Sequence, residues 1–88
     1  MKYKVLFNNN IQKDLRPLNK KVLENFFKII NETISINPFA GIKLKGKYKD
    51  LWKYRIGNYR IIYFINSKKN EILILRFRLR KEVYNNII

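Results

Sequence analysis

Five cations, Lys53, Arg55, Arg60, Arg76 and Arg78, fall in a stretch otherwise rich in Ile, Leu and aromatic residues. The steps from 53 to 55 and from 76 to 78 are the spacing that returns a side chain to the same face of a β-strand. Positions 55 and 60 flank Gly57-Asn58, a two-residue hairpin signal. A turn there pairs Ile56 with Tyr59, Arg55 with Arg60, Tyr54 with Ile61 and Lys53 with Ile62. Trp52, Tyr54, Ile56, Tyr59, Ile61 and Tyr63 then share one face. Lys53, Arg55 and Arg60 share the other, beside Leu51, Ile62 and Phe64. In the last strand Leu73, Leu75 and Phe77 fit the apolar face, which sends Ile72, Ile74, Arg76 and Arg78 to the cationic one. Like charges directly opposite destabilise a sheet, on a scale of roughly 0.2–1 kcal/mol per cross-strand pair. A cluster of arginines without nearby acids therefore points to a visiting anion more than to a solvated sheet face.

The whole chain leans the same way. Its 88 residues hold 20 Lys and Arg against six Asp and Glu, a formal charge of +14. Residues 43–88 hold 13 of the bases and three of the acids, net +10. Self-repulsion of this size penalises compactness and is explained by a polyanionic partner, either nucleic acid or an acidic protein. There is no His and no Cys. Disulfides, thiolate metal sites and Ser-His or Cys-His catalytic pairs are thereby excluded. Six scattered acids make an acidic metal cage improbable, so no metal and no cofactor is expected.

Other candidates carry two readings each. Lys43, Lys45 and Lys47 alternate in a Gly-containing segment and either line a rim beside the cationic face or sit in a solvated loop. Trp52, Tyr54, Tyr59 and Tyr63 could stack on bases, but parity turns them toward the helices and core packing. Tyr84 lies in a tail with Arg76, Arg78, Arg80 and Lys81 within eight residues, and both packing and a functional role stay open for it.

The elements that must position these groups are legible in outline. Residues 2–8 alternate as a first strand. Ile11, Leu15 and Leu18 suit a short helix that Pro17 ends or kinks. Asn19 is the expected N-cap of a second helix, with Leu18 and Leu23 as its hydrophobic staple. Val22, Phe26, Ile29, Ile30, Thr33 and Ile34 keep one side of that helix apolar up to Asn37-Pro38. A loop runs from 39 to about 49, followed by strands over 51–56, 59–65 and 71–78 and a helical or loose tail. The expected architecture is α+β: two N-terminal helices on one face of an antiparallel sheet, in the order β-α-α-β-β-β, with a short C-terminal helix or tail. One domain over 1–88 is expected. The first ten residues lack the apolar core of a secretory signal, and no apolar run approaches the ~20 residues needed to span a bilayer. A soluble cytoplasmic protein without a membrane partner is the expectation.

The block Leu51-Trp52-Lys53-Tyr54-Arg55-Ile56-Gly57-Asn58-Tyr59-Arg60-Ile61-Ile62-Tyr63 resembles the central signature of the RelE/ParE toxin superfamily. Lys43-Leu44-Lys45-Gly46 and Arg80-Lys81-Glu82-Val83-Tyr84 resemble its flanking motifs. The resemblance covers nearly the whole chain and implies a RelE-like fold and a toxin of a type II toxin–antitoxin system. It does not by itself choose between the two activities of the superfamily. The RelE type cuts mRNA in the ribosomal A site, and the ParE type poisons DNA gyrase.

For the RelE type, the resemblance implies a charged catalytic set without His and a metal-independent attack of a 2′-hydroxyl on the adjacent phosphate. Carried over by position, Lys53, Arg55, Arg60, Arg78 and Tyr84 are the implied catalytic residues, with Lys45 and Arg80 at basic positions of the family; Lys43, Lys47 and Arg76, by their charge and placement, join these two as the expected RNA contacts. Arg55 stands where the RelE type can carry Lys, and Leu79 where other branches carry His. The expected partners are an acidic, RelB-like antitoxin in a hetero-oligomer, and the ribosome with its mRNA. A gyrase-inhibiting toxin and a plain nucleic-acid-binding module are the alternatives.

Overall fold

The computed structural model of the chain describes residues 2–79. Its scaffold grows from the hairpin read above. Gly57 takes a positive φ of 56°, which a residue without Cβ adopts at little cost. The tight turn this allows folds β3 (Leu51–Ile56) back onto β4 (Tyr59–Asn66). The register is the expected one, with Arg55 opposite Arg60 and Lys53 opposite Ile62. A second turn through Asn70, also at positive φ, leads into β5 (Glu71–Leu79).

Two further strands complete the sheet in the order β1-β5-β4-β3-β2. β2 (Ile42–Lys43) adds antiparallel to β3, inside the segment expected to be loop. β1 (Lys4–Phe7) pairs with β5 and runs parallel to it. The expectation of a purely antiparallel sheet is therefore corrected: the sheet is mixed. The reason lies in the crossover, since α1 (Ile11–Leu15) and α2 (Lys20–Ile29) intervene between β1 and the meander. A helical crossover is what a parallel pairing requires. The chain leaving β1 stays on the β5 edge, where the Asn8 backbone N–H donates to the Ile74 carbonyl at 2.9 Å.

Both helices cover one face, as expected. Asn19 caps α2, its side-chain oxygen accepting from the Val22 N–H at 2.9 Å. The helix passes into one π-helical turn, Ile30–Ile34. Ile11, Phe26, Ile30 and Ile34 bury against Ile61, Tyr63, Ile72, Ile74 and Phe77. Phe26 and Phe77 meet at 4.5 Å between ring centroids.

The last strand departs from simple alternation. Tyr63 pairs with Ile74, but Ile62 pairs with Arg76, so Leu75 is an extra residue in a β-bulge. Each residue before the bulge is thereby shifted by one face. Ile72 and Ile74 belong to the helix-side core, and Leu73 and Leu75 do not. This corrects the expected placement of those four residues. Leu75 instead joins Leu51 and Ile62 in a second cluster on the opposite face, packed by Leu44, Tyr48 and Leu73. The expected tail helix falls at residues 80–88, outside the described residues.

Candidate nucleic-acid interface

Past the bulge the alternation of β5 agrees with that of its neighbours. Arg60 is opposite Arg55 on one side and Arg78 on the other. Directly opposed residues share a face, at Cα separations of about 4.5–5.5 Å. One arginine from each of three adjacent strands therefore stands in a single row across the sheet. Lys53 lies on the same face two residues from Arg55, between Ile42 of β2 and Ile62 of β4.

The members of this set differ in exposure. Arg60 sits at the centre of the row and is only 4% exposed. Arg55 is exposed, and Lys53 and Arg78 are half-buried. Lys53, Arg60 and Arg78 are each engaged by contacts within the chain. A guanidinium in such a position is held in place and weakly hydrated, and its planar fork matches phosphate oxygens bidentately. Three forks in a row would place positive charge along an anionic ligand at fixed intervals, an arrangement that stabilises charge developing on phosphorus.

Among the described residues, two clefts flank the row. One, of about 310 Å³, is lined by Ala40, Gly41, Ile42, Lys53, Tyr54, Arg55 and Arg60. Its wall cannot be thickened, because a Cβ on Gly41 would collide with the Tyr63 hydroxyl and the Lys53 carbonyl oxygen. Tyr63 is itself fully buried and donates its hydroxyl to the Pro38 carbonyl at 2.7 Å. Burial pushes its pKa up to about 12, only partly offset by the hydrogen bond with the Gly41 backbone. The other cleft, of about 320 Å³, runs along the β5 edge and takes in Lys13, Asp14, Tyr59, Phe77 and Arg78.

The loop lysines are distributed around this centre. Lys43 and Lys45 line a smaller hollow with Lys53 and Tyr48. Lys47 is exposed, its Nζ 5.2 Å from the Tyr48 ring centroid. Arg76 stands apart from the row. Its Nε and Nη2 both donate to Asp14 at 2.8 Å, an ion pair whose side chains are 15% and 6% exposed. Arg80 and Tyr84 lie outside the described residues. By parity Trp52, Tyr54 and Tyr59 pack against the helix-side core, as the alternation indicated. Asp14 is the residue that sequence reasoning passed over. It was one acid among six, and the link to Arg76 spans 62 positions.

The family described as "ParE toxin of type II toxin-antitoxin system, parDE" matches residues 5–84. The chain belongs to that family. The RelE1 protein of Methanocaldococcus jannaschii is 31% identical over 91 residues, covering 98% of this chain and 99% of its own length. Among solved structures, the toxin–antitoxin complex RelBE2 of Mycobacterium tuberculosis aligns at a TM-score of 0.85 and 26% identity, over 91% of this chain and all of that one. An E. coli RelE mutant in the free state aligns at 0.78 and 26% identity, over 97% of this chain and 93% of its own. The protein is accordingly a RelE-like toxin of a type II toxin–antitoxin system, and the mixed α+β fold is the one RelE adopts. No described helix of this toxin is long and apolar enough to cross a membrane.

Proposed function

We propose that this toxin is a ribosome-dependent endoribonuclease that cleaves translated mRNA in the A site. The observation that carries the reading is the row Arg55, Arg60 and Arg78 with Lys53 beside it, in a chain similar to RelE. The reaction forms a bond between the 2′ oxygen and phosphorus and breaks the bond from phosphorus to the 5′ oxygen. It leaves a 2′,3′-cyclic phosphate and a 5′-hydroxyl. Lys53 or Arg55 helps remove the proton of the attacking 2′-hydroxyl or stabilises the charge on its oxygen, and a proton is returned to the 5′ oxygen as it leaves. Arg60 grips the non-bridging oxygens as charge builds on them, and Arg78 stabilises the departing 5′ oxygen. Tyr84 orients the nucleotide, and Lys43, Lys45, Lys47, Arg76 and Arg80 contact the flanking RNA. The chain acts as one toxin domain in the cytoplasm, where ribosomes are. The ribosome completes the geometry of the site.

Control is assigned to an acidic, RelB-like antitoxin bound in a hetero-oligomer. Support comes from the +14 charge and from the RelBE2 relative, which was solved as a toxin–antitoxin complex. The second reading is gyrase inhibition, favoured by the ParE description of the matching family.

Purified toxin offered to ribosomes paused on a defined message, to the same message without ribosomes, and to gyrase with relaxed plasmid separates the readings. Cleavage confined to the ribosome-bound message, and a loss of at least about 100-fold in Arg60→Ala and Arg78→Ala, is the expected outcome. Intact message with inhibited supercoiling would transfer the function to gyrase.

A further inference from the structure

The arginine row exists only because of the bulge. Carried on without an extra residue from Tyr63 opposite Ile74, the pairing would set Ile62 against Leu75, Ile61 against Arg76 and Arg60 against Phe77. Phe77 would then stand in the cationic row, and Arg76 and Arg78 would turn toward the helix-side core. With Leu75 extruded, Phe77 reaches the core and Arg78 comes opposite Arg60.

Something must hold the extra residue, because a bulge leaves its strand locally short of ladder hydrogen bonds. On its outer side β5 is paired by β1 only from Glu71 to Ile74. Beyond that point the edge is met by α1, whose Asp14 carboxylate makes the polar contact. Asp14 Oδ2 accepts from both the Arg76 Nε at 2.8 Å and the Phe77 backbone N–H at 3.0 Å. Asp14 Oδ1 accepts from the Arg76 Nη2 at 2.8 Å. These are the two residues that follow the extruded Leu75. The carboxylate thus supplies the backbone partner that a longer β1 would have given. It also ties down the one arginine of the strand that is absent from the row. Ion pairs buried to this degree are kept only with such full hydrogen bonding.

We propose that Asp14 is a positioning residue for the phosphate-binding face: it locks the β5 bulge after Leu75 and so sets Arg78 in line with Arg60 and Arg55. The proposal rests on the reading of that row as the RNA site, and it assigns no contact between Asp14 and RNA.

The test uses Asp14→Ala, Arg78→Ala and the double variant of the full chain. Register is read from cross-strand NMR contacts between β4 and β5. Binding is read with a 2′-O-methyl RNA decamer, which cannot supply the attacking hydroxyl. Asp14→Ala is expected to lose the contacts joining Arg60 to Arg78 while keeping those joining Tyr63 to Ile74. It is also expected to weaken decamer binding by about ten-fold or more, the scale of one charge-assisted contact. The double variant is expected to bind no more weakly than Arg78→Ala alone, since Asp14 acts through Arg78. A merely stabilising Asp14 would give additive losses or none.

Unchanged register in Asp14→Ala overturns the proposal, and so does an additive double variant. Normal binding by Arg78→Ala refutes the RNA reading of the row, and the NMR register then still decides whether Asp14 holds the bulge. Should Asp14→Ala not fold, Asp14→Leu, which fills the space but offers the Phe77 N–H no acceptor, is read in the same way. A preserved Arg60–Arg78 pairing with normal binding in Asp14→Leu would overturn the proposal.

Discussion

At the scale of single residues, Arg55 in the row and Tyr63 in the core beneath the sheet carry separate tests. Arg55 is exposed and directly opposite Arg60, so its charge works against the sheet. Replacing it by Thr, a good strand former, is expected to stabilise the fold by up to about 1 kcal/mol while weakening RNA binding. A urea titration beside a binding isotherm measures both. A site maintained against stability in this manner is the common trade of function for foldedness.

Tyr63 reports through pH. Its hydroxyl is buried and its pKa is raised to about 12, so the native state keeps the phenolic proton where the unfolded chain has released it. Stability tied to Tyr63 is therefore full below about pH 10 and is lost as pH rises toward 12, by at most about 3 kcal/mol. Tyr63→Phe removes this dependence. It also leaves the Pro38 carbonyl without its donor, at a cost of about 1–3 kcal/mol at neutral pH. Comparing urea midpoints of the two proteins at pH 9 and pH 11.5 isolates the tyrosine from titrating lysines. The gap between them should narrow at the higher pH.

At the scale of elements, what could be read from the chain depended on how local the determinant was. The Gly57-Asn58 turn is two residues long, so β3 and β4 and the Arg55–Arg60 pair follow directly from the spacing. Asn19 as the α2 cap is equally local. Asn19→Ala is expected to cost about 1 kcal/mol and lower Tm by about 4–8 °C, checked by thermal melts. Three features were out of reach, each decided by distant partners. β1 chooses the β5 edge through a helical crossover. Leu75 is extruded next to a carboxylate from α1, which inverts the faces of Ile72, Leu73, Ile74 and Leu75 against plain alternation. Arg76 is drawn to Asp14, across 62 positions of sequence. Arg78 was assigned to the cationic face by steps of two from Arg76, and it does lie there, opposite Arg60, although the strand before it runs in a different phase.

At the scale of the whole molecule, the charge of +14 governs how partners arrive. Binding of single-stranded RNA should fall with salt at a slope of about −0.7 per phosphate contacted. Lys53, Arg55, Arg60 and Arg78 contribute about −3 to the slope and the five flanking RNA contacts up to about −3.5 more, and Arg78→Ala should reduce its magnitude by about 0.7. Fluorescence anisotropy across a salt series measures both slopes. A wild-type slope near about −3 would mean that the loop lysines, Lys43, Lys45 and Lys47, contribute little to the contact. The same field would speed capture by an acidic antitoxin.

Mapping of mRNA 5′ ends in bacteria induced to express the toxin or Arg60→Ala decides whether this surface cuts mRNA on the ribosome. New 5′ ends at codons in the ribosomal A site, present with the wild type and missing with Arg60→Ala, are the expected result. Growth arrest by the wild type without such ends, or the same ends in both strains, would contradict it.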